Sequence, residues 1–573
     1  MTNPPLPLRK IFLLAIAIGV LCFFVNNLSV WSAALSPAPG HQARWVLSNM
    51  DVPIYLTWMT LAPKHWLLPN YNAPWTSDDA LVSPLVLVAG KFSSSVGLSP
   101  RAGFQIFHLF FYIVAAFAFA AVLYSFCTTR RQRIAATIAS VAALPLPLLA
   151  LGWADLVGKQ IPILWLGLIQ FSYDTADGLF RGGTSNSYTL SFGTAANLAG
   201  LFFLTRYVRG GQRRDVVLLA LTAVLSALFH PVEMCVIVLA SIATFGIQAY
   251  RNRNSRTGIT NATLVVAGAL LGLLPYLIQT SRSQWVRDIS RLYVWEAFSI
   301  LWVPLVFGIP TVLAIYFLLM RYRLTTPGDE VLRTWFFASF ALLYVPGVPM
   351  KLHIFDGFPY ITAILLVRLL SSHQPLRNLI ERKPSLPLAV AAAALAICLP
   401  GYVSMYKQLW NDGRKEDPQL LLNALQRTEE PQLLAWFRSH EINGQLAMGP
   451  LDIAPWLATV PMPSLASHDL FGVTYEDQNR FVSRFYQGRL SDEDASRQLR
   501  DYGVHYLVIP TQGPSRRYVT DQTPIAQVGV WSIYERKDAV LKSYPGLAAL
   551  RPDVAQQSGL AAWLVKARDL FAR

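Results

Sequence analysis

The chemistry of this chain starts with an acid, Asp51, in the stretch Asn49-Met50-Asp51-Val52-Pro53-Ile54-Tyr55-Leu56-Thr57-Trp58, about twenty residues beyond the first long apolar run. A carboxylate held at a membrane surface can act as general base toward an acceptor hydroxyl or amine, and a second can bind a divalent metal or orient the acceptor. More acids follow in the next polar stretch, where Asp155, Lys159, Asp174, Asp177 and Arg181 surround the apolar Ile161 to Phe171. Cations that could meet an anionic leaving group also exist. Arg287 and Arg291 stand four residues apart, on one helical face, and Lys351 and His353 stand at the end of a later apolar run. Glu233, in Phe229-His230-Pro231-Val232-Glu233, is costly near a membrane unless paired or wet.

These groups must be positioned by a membrane scaffold. Of 573 residues, 53% are hydrophobic and 14% charged, with mean hydropathy +0.38, too apolar for a soluble protein of this size. The net charge of +15 does not point to a nucleic-acid partner, because the basic residues sit in short clusters between apolar runs rather than on one face. About eleven segments are long enough to cross a bilayer as helices: near 11–33, 104–126, 134–152, 187–207, 216–229, 234–250, 258–280, 297–320, 334–350, 355–371 and 385–402. The fifth and sixth are short and meet at His230-Pro231-Val232-Glu233, a tight turn.

Arg and Lys in short loops set the orientation. Arg9 and Lys10, Arg130 to Arg133, Arg206 to Arg214, Arg251 to Arg256, Arg321 to Arg333 and Arg377 to Lys383 all fall on one side, the cytoplasm, while Arg282, Arg287 and Arg291 fall outside. The N-terminus is then cytoplasmic, and the loops 34–103 and 153–186 and everything after 402 face the periplasm of a bacterial inner membrane. The first run reads as a retained anchor rather than a cleaved signal. The apolar stretch Ala80 to Gly90 is too short to span and is expected along the membrane surface. Cys22, Cys127, Cys235 and Cys398 lie in or beside apolar runs, so no disulfide framework or zinc-type Cys/His spacing is expected.

After 402 the long apolar runs stop. Gln445 to Pro450 and Val504 to Pro510 read as buried strands, and Val528 to Glu535 as a strand with one wet face. Pro431 to His440 and Ser491 to Tyr502 read as helices, the latter capped by Ser491 and closed by Gly503. The expected architecture is a mainly α polytopic membrane domain, 1–402, followed by a periplasmic α/β domain, 403–573.

The acid-containing first outer loop, about eleven spans and a C-terminal periplasmic domain resemble the GT-C superfamily of polyprenyl-phosphate-dependent glycosyltransferases, which includes protein mannosyltransferases and lipid A aminoarabinose transferases. Locally, Asp51-Val-Pro-Ile-Tyr-Leu-Thr-Trp58, His65-Trp-Leu-Leu-Pro-Asn70, Phe229-His-Pro-Val-Glu233 and Leu499 to Pro510 are similar to stretches of bacterial membrane proteins of this kind. The resemblance implies a sugar donor on a polyprenyl phosphate, a periplasmic or lipid-linked acceptor, and Asp51 as the first-loop catalytic acid. It also implies a second acid, for which Asp155, Asp174 and Asp177 are equal candidates. Asp78-Asp79 is an adjacent pair rather than a spaced metal motif, which leaves metal dependence open.

Each residue also has a plain structural reading. Asp51 followed by Val-Pro is a good helix start, Arg287 and Arg291 can anchor a helix to lipid phosphates, and His230 can close a turn. The rival function is a transporter or flippase of an envelope precursor, which would keep its ionisable groups at broken helices. The His230 to Glu233 junction alone fits that pattern, and an inert anchor would hardly need so many spans.

Overall fold

The computed structural model describes residues 7–48, 51–68, 83–158, 188–252, 255–283, 302–319, 326–345, 351–372, 374–383, 385–412, 414, 423–440, 445–460, 462–466 and 475–537. The membrane part begins with α1 (Leu8–Asn26) and α2 (Leu28–Leu35), then β1 (His41–Ser48), α3 (Asp51–Leu61) and α4 (Pro84–Ser95). The long α5 (Pro100–Phe126), α6 (Arg130–Val141) and α7 (Leu146–Leu156) follow, then α8 (Tyr188–Gly210), α9 (Arg213–Phe229), α10 (Pro231–Asn252), α11 (Ser255–Arg282), α12 (Trp302–Leu319) and α13 (Pro327–Leu343). A 3-10 turn (Lys351–Phe355) leads to α14 (Phe358–Ser372), α15 (Gln374–Arg382) and α16 (Leu386–Asp412).

Each of the eleven apolar segments overlaps a described helix, although residues 297–301, 320 and 346–350 lie outside the described residues. By length and composition five described helices can cross a membrane, six if α6 and α7 form one span bent by 76°. Pro145 and Pro147 explain that bend, since proline removes a backbone donor and forces the preceding residue out of the helical region. A second break packs on it. Gly308 in α12 has φ +73°, and a Cβ there would lie 2.4 Å from the Leu144 carbonyl oxygen. Gly152 of α7 likewise meets the backbone of Pro400 and Gly401 in α16, the small-residue crossing favoured where lipid offers no hydrophobic drive.

The basic loops gather at one end of the bundle. Arg209 donates to the Ser125 carbonyl, Arg133 to the carbonyls of Cys127 and Thr128, and Arg368 makes a two-pronged pair with Asp329. Arg206 pairs with Asp215, and Arg251 with Glu330.

Beyond α16 lie β2 (Asn423–Arg427), α17 (Glu430–Ser439), β3 (Leu446–Met448), α18 (Ala454–Leu457), α19 (Tyr475–Tyr486), α20 (Asp492–Asp501), β4 (Val504–Pro510), β5 (Ala526–Val528) and β6 (Trp531–Glu535). The four-stranded sheet has the order β3-β4-β6-β5, with β3 parallel to β4 and the other pairs antiparallel. Both faces are covered, and alternate residues show how. Leu507 and Ile509 pack with Phe481, Phe485 and Leu499 from α19 and α20. Tyr506 and Val508 pack with Leu433, Phe437 and Trp456, and with Val52, Leu56 and Trp58 of α3.

Two local expectations change. Val528 to Glu535 is not one half-wet strand: the chain turns at Gly529 (φ +56°), and Trp531 to Tyr534 are buried because β6 is an inner strand of a sheet covered on both sides. The stretch up to Gly90 does not lie open along a surface. Leu85, Val86, Leu87 and Ala89 of α4 are buried, and Gly90 allows α4 to meet Met59 and Ala62 at the end of α3.

The segment between α2 and α3 is tied to the chain beyond α16 by antiparallel pairing of β1 with β2, His41 opposite Arg427. At that seam Arg44 makes a 2.5 Å ion pair with Glu430, both almost fully buried, and lies over the Trp456 ring at 4.0 Å. Burial pushes the Glu430 carboxyl above its ordinary range, with Arg44 working against the rise.

Candidate functional site

Opposite the arginine end, two short motifs of one form come together: His230-Pro-Val-Glu233 and His353-Ile-Phe-Asp356. The first sits where α9 ends and Pro231 opens α10, which proline can do because the first helical residue needs no backbone donor. Glu233 is in the first turn of α10, where the helix dipole favours an acid. His230 Nδ1 stands 2.6 Å and 2.8 Å from the two Glu233 carboxylate oxygens, a hydrogen bond across one turn. In the second motif His353 lies in the middle of the 3-10 turn, Asp356 follows the turn, and Gly357 (φ +80°) opens the way into α14. His353 Nδ1 lies 3.6 Å from Asp356 Oδ2, and the two imidazoles meet edge to face at 5.3 Å.

Neighbouring helices fix the second motif. Asn197 Nδ2 donates to the Asp356 carbonyl at 2.6 Å, while Asn197 Oδ1 accepts from Trp335 Nε1 at 2.9 Å. Gly193 lies one turn before Asn197 on α8, and a Cβ on it would come 2.3 Å from Glu233 Oε1 and 3.1 Å from Asp356 Oδ2. The side chains of Glu233 and Asp356 are 0% and 4% exposed, those of His230 and His353 14% and 15%, so the imidazoles form the accessible edge of the site. Along α8, Gly193 is separated from Arg209 by roughly 24 Å at 1.5 Å per residue, most of a ~30 Å hydrocarbon core. His230, Glu233 and Asp356 each offer a ligand atom, all within 4.8 Å of one another, so they can hold a cation or share a proton.

The residues singled out from sequence fall unevenly around this site. Asp51 is the first residue of α3, with Pro53 in the first turn, as expected of a helix start. The side chains of Asp51 and Lys351, and all of Asp174, Asp177, Arg287 and Arg291, lie outside the described residues, as does Ile161 to Phe171. His353 is in the site, facing His230. Asp155 is exposed at the end of α7 and accepts a hydrogen bond from Ser404 of α16, so its described partner is a hydroxyl of another helix. Asp356 and Gly193 were missed by sequence reasoning. The available signal was the repeated His-x-x-acid spacing at two helix junctions.

One apolar cluster joins this site to α3, the helix that Asp51 opens. It contains Val52, Ile54 and Leu56 of α3 and Phe192 of α8, the neighbour of Gly193, with Phe229, the neighbour of His230, packed against it. Phe192 meets Phe229 at 5.5 Å and Phe111 of α5 at 5.6 Å, edge to face in both cases.

No family model and no curated protein matches this chain by sequence. Among solved structures it is similar to the archaeal oligosaccharyltransferase AglB from Archaeoglobus fulgidus, solved with an inhibitory peptide and a dolichol-phosphate, at 15% identity and TM-score 0.41, over 87% of this chain and 69% of that one. It is also similar to the arabinofuranosyltransferase AftD from Mycobacteria, at 15% identity and TM-score 0.47, over 92% of this chain and 40% of that one. A third likeness is to ArnT from Cupriavidus metallidurans, at 12% identity and TM-score 0.45, over 91% of this chain and 97% of that one.

Proposed function

We propose that this chain is a membrane glycosyltransferase that moves a sugar from a polyprenyl-phosphate donor to a periplasmic or lipid-linked acceptor at the outer face of a bacterial inner membrane. The observation that carries the reading is the shared apolar cluster: the helix opened by Asp51 packs together with the neighbours of Gly193 and His230. In this reading Asp51 is the base toward the acceptor, and cations among Arg287, Arg291, Lys351 and His353 meet the departing phosphate. Asp155, Asp174 and Asp177 remain candidates for acceptor orientation. The eleven apolar segments cross the membrane with the N-terminus in the cytoplasm, and residues 403–573 form the periplasmic domain. A reporter fused after Arg573 should be active only in the periplasm; cytoplasmic activity there would remove both topology and site.

Asp51→Asn removes the charge with little change of shape. Purified in detergent and supplied with polyprenyl-phosphate sugars and envelope acceptors, it should transfer at least about 100-fold more slowly than the parent, the usual scale of losing a positioned base. Near-normal transfer by that variant would exclude Asp51 as the base. A transporter of a lipid-linked precursor is the second reading, favoured by the buried His and acid groups at the α9–α10 junction. It predicts movement of labelled lipid across proteoliposomes with no sugar transferred.

A further inference from the structure

We propose that Arg44, Arg101 and Trp456, with Arg438 at the mouth, form a binding site for an oxyanion that carries a hydroxyl beside it, as a sugar phosphate or a uronic acid does. This proposal goes beyond sugar transfer and does not depend on it. The site lies at the seam where β1, the first turn of α5, α17 and α18 meet. Two guanidiniums share one indole there: Arg44 lies over the Trp456 ring at 4.0 Å and Arg101 at 5.5 Å. A third, Arg438, is close enough to act electrostatically on Arg101.

These three cations face two acids. Glu430 takes the Arg44 ion pair at 2.5 Å, and the exposed Asp452 bears on Glu430 from outside that pair. Among the described residues Arg101 has no acid in ion-pair contact, and its side chain makes one hydrogen bond, to Gln426 Oε1 at a long 3.3 Å. It also stands in the first turn of α5, where the helix dipole opposes a cation and favours an anion. Positive charge is therefore left over at a place largely withdrawn from water.

Orphaned polar atoms are the second observation. Arg44 Nε, Trp456 Nε1 and Glu430 Oε1 are all buried without a hydrogen-bond partner, in residues that are 4%, 0% and 1% exposed. Buried polar groups in native proteins are nearly always paired. One water would serve these atoms but would leave the excess charge where it is. An oxyanion answers both.

The donor and acceptor types narrow the ligand. Arg44 Nε, Trp456 Nε1 and the remaining N–H groups of Arg101 only donate, and a planar guanidinium suits the paired oxygens of a carboxylate or phosphate. Glu430 Oε1 only accepts, so the ligand must also bring an O–H. A simple phosphodiester has none, whereas a sugar phosphate or a uronic acid does. Arg101 is half-buried and Arg438 exposed, so the ligand enters from the arginine side.

The test uses the full-length protein in a neutral detergent, dialysed to equilibrium against radiolabelled glucose 6-phosphate with no sugar donor or acceptor present. One equivalent should bind and be displaced by glucuronate. Glucose, which lacks the anion, and dimethyl phosphate, which lacks the hydroxyl, should compete at least about 10-fold more weakly, the scale of one charge-assisted hydrogen bond. Arg101→Gln should weaken binding about 10- to 100-fold. Trp456→Phe keeps a ring beneath the arginines but removes the donor, and should weaken it about 3- to 10-fold. Arg480→Gln, an exposed change on α19 at the other face of the sheet, should leave binding as it was. If the unmodified protein binds no glucose 6-phosphate, if Arg101→Gln binds it as tightly as the parent, or if dimethyl phosphate displaces it as well as glucuronate does, the site does not exist as proposed. Since the unmodified protein and its competitors decide first, a variant that fails to fold leaves the test intact. Failure of this site would leave Asp51 and sugar transfer standing, and the reverse also holds.

Discussion

The two ends of α8 treat charge in opposite ways. Near Gly210 each acid meets a guanidinium: Arg368 grips Asp329 at 2.6 and 2.7 Å, and Arg206 pairs with Asp215 at 3.1 Å. Near Tyr188, Glu233 and Asp356 face the same glycine, with only imidazoles beside them. Glycine serves both ends by making space, Gly328 for the Arg209 guanidinium and Gly193 for the two carboxylates. The first arrangement completes its charges within the fold. The second leaves like charges together, a cost that a protein retains where a ligand, a proton or a reacting group will offset it.

The largest expected effect is at the arginine end. Asp329 binds Arg368 with both oxygens and also accepts from the Thr326 hydroxyl that caps α13. Asp329→Asn leaves a largely buried guanidinium unpaired and should destabilise the protein by about 3–5 kcal/mol, read as a fall in the thermal transition of the detergent-solubilised chain. Adding Arg368→Met should recover most of that loss, because replacing both partners of a buried pair by apolar groups is often neutral. A loss below about 1 kcal/mol for Asp329→Asn alone would show that this end is not held by its ion pairs.

A smaller effect is expected from crowding. Gly193→Ala and Gly328→Ala each force a methyl against a charged side chain, at 2.3 Å and 2.4 Å respectively. Each should cost about 1–3 kcal/mol, the range of overpacked sites. The Gly193 change should also disturb the His and acid cluster, whereas the Gly328 change should leave it intact. Equal effects of both variants on sugar transfer would erase the functional distinction between the ends.

How much of this was legible in the sequence depends on how local each signal is. The break at His230-Pro231 was visible, since proline dictates a helix start from its own chemistry. Gln445 to Pro450 and Val504 to Pro510 read as buried strands, and β3 and β4 indeed pair inside them. The helix start at Asp51 was legible, but which groups Asp51 meets depends on a tertiary arrangement that no local pattern encodes. Asp356 escaped notice for the same reason. Its meaning comes from Gly193, on a helix more than a hundred residues away, and from His230 across the bundle. The strand β6 was misread because Val528-Gly-Val-Trp looks like alternation, when Gly529 in fact turns the chain and a second layer covers the face expected to be wet.

The smallest expected effect is the sharpest test of the comparison. Asp356→Asn makes the same chemical change as Asp329→Asn, but in the absence of metal its stability should lie within about 1 kcal/mol of the parent, or above it. The lost carboxylate faced Glu233 across the space beside Gly193, so its removal takes away a repulsion between two buried acids. The Asp356 carbonyl keeps its bond from Asn197, which belongs to the backbone and is untouched by the substitution. The two Asp→Asn variants should therefore differ by several kcal/mol in stability, although both aspartates are buried. A loss of about 3–5 kcal/mol for Asp356→Asn would mean that its acid is held in a stabilising pair like that of Asp329, and that the two ends obey the same rule.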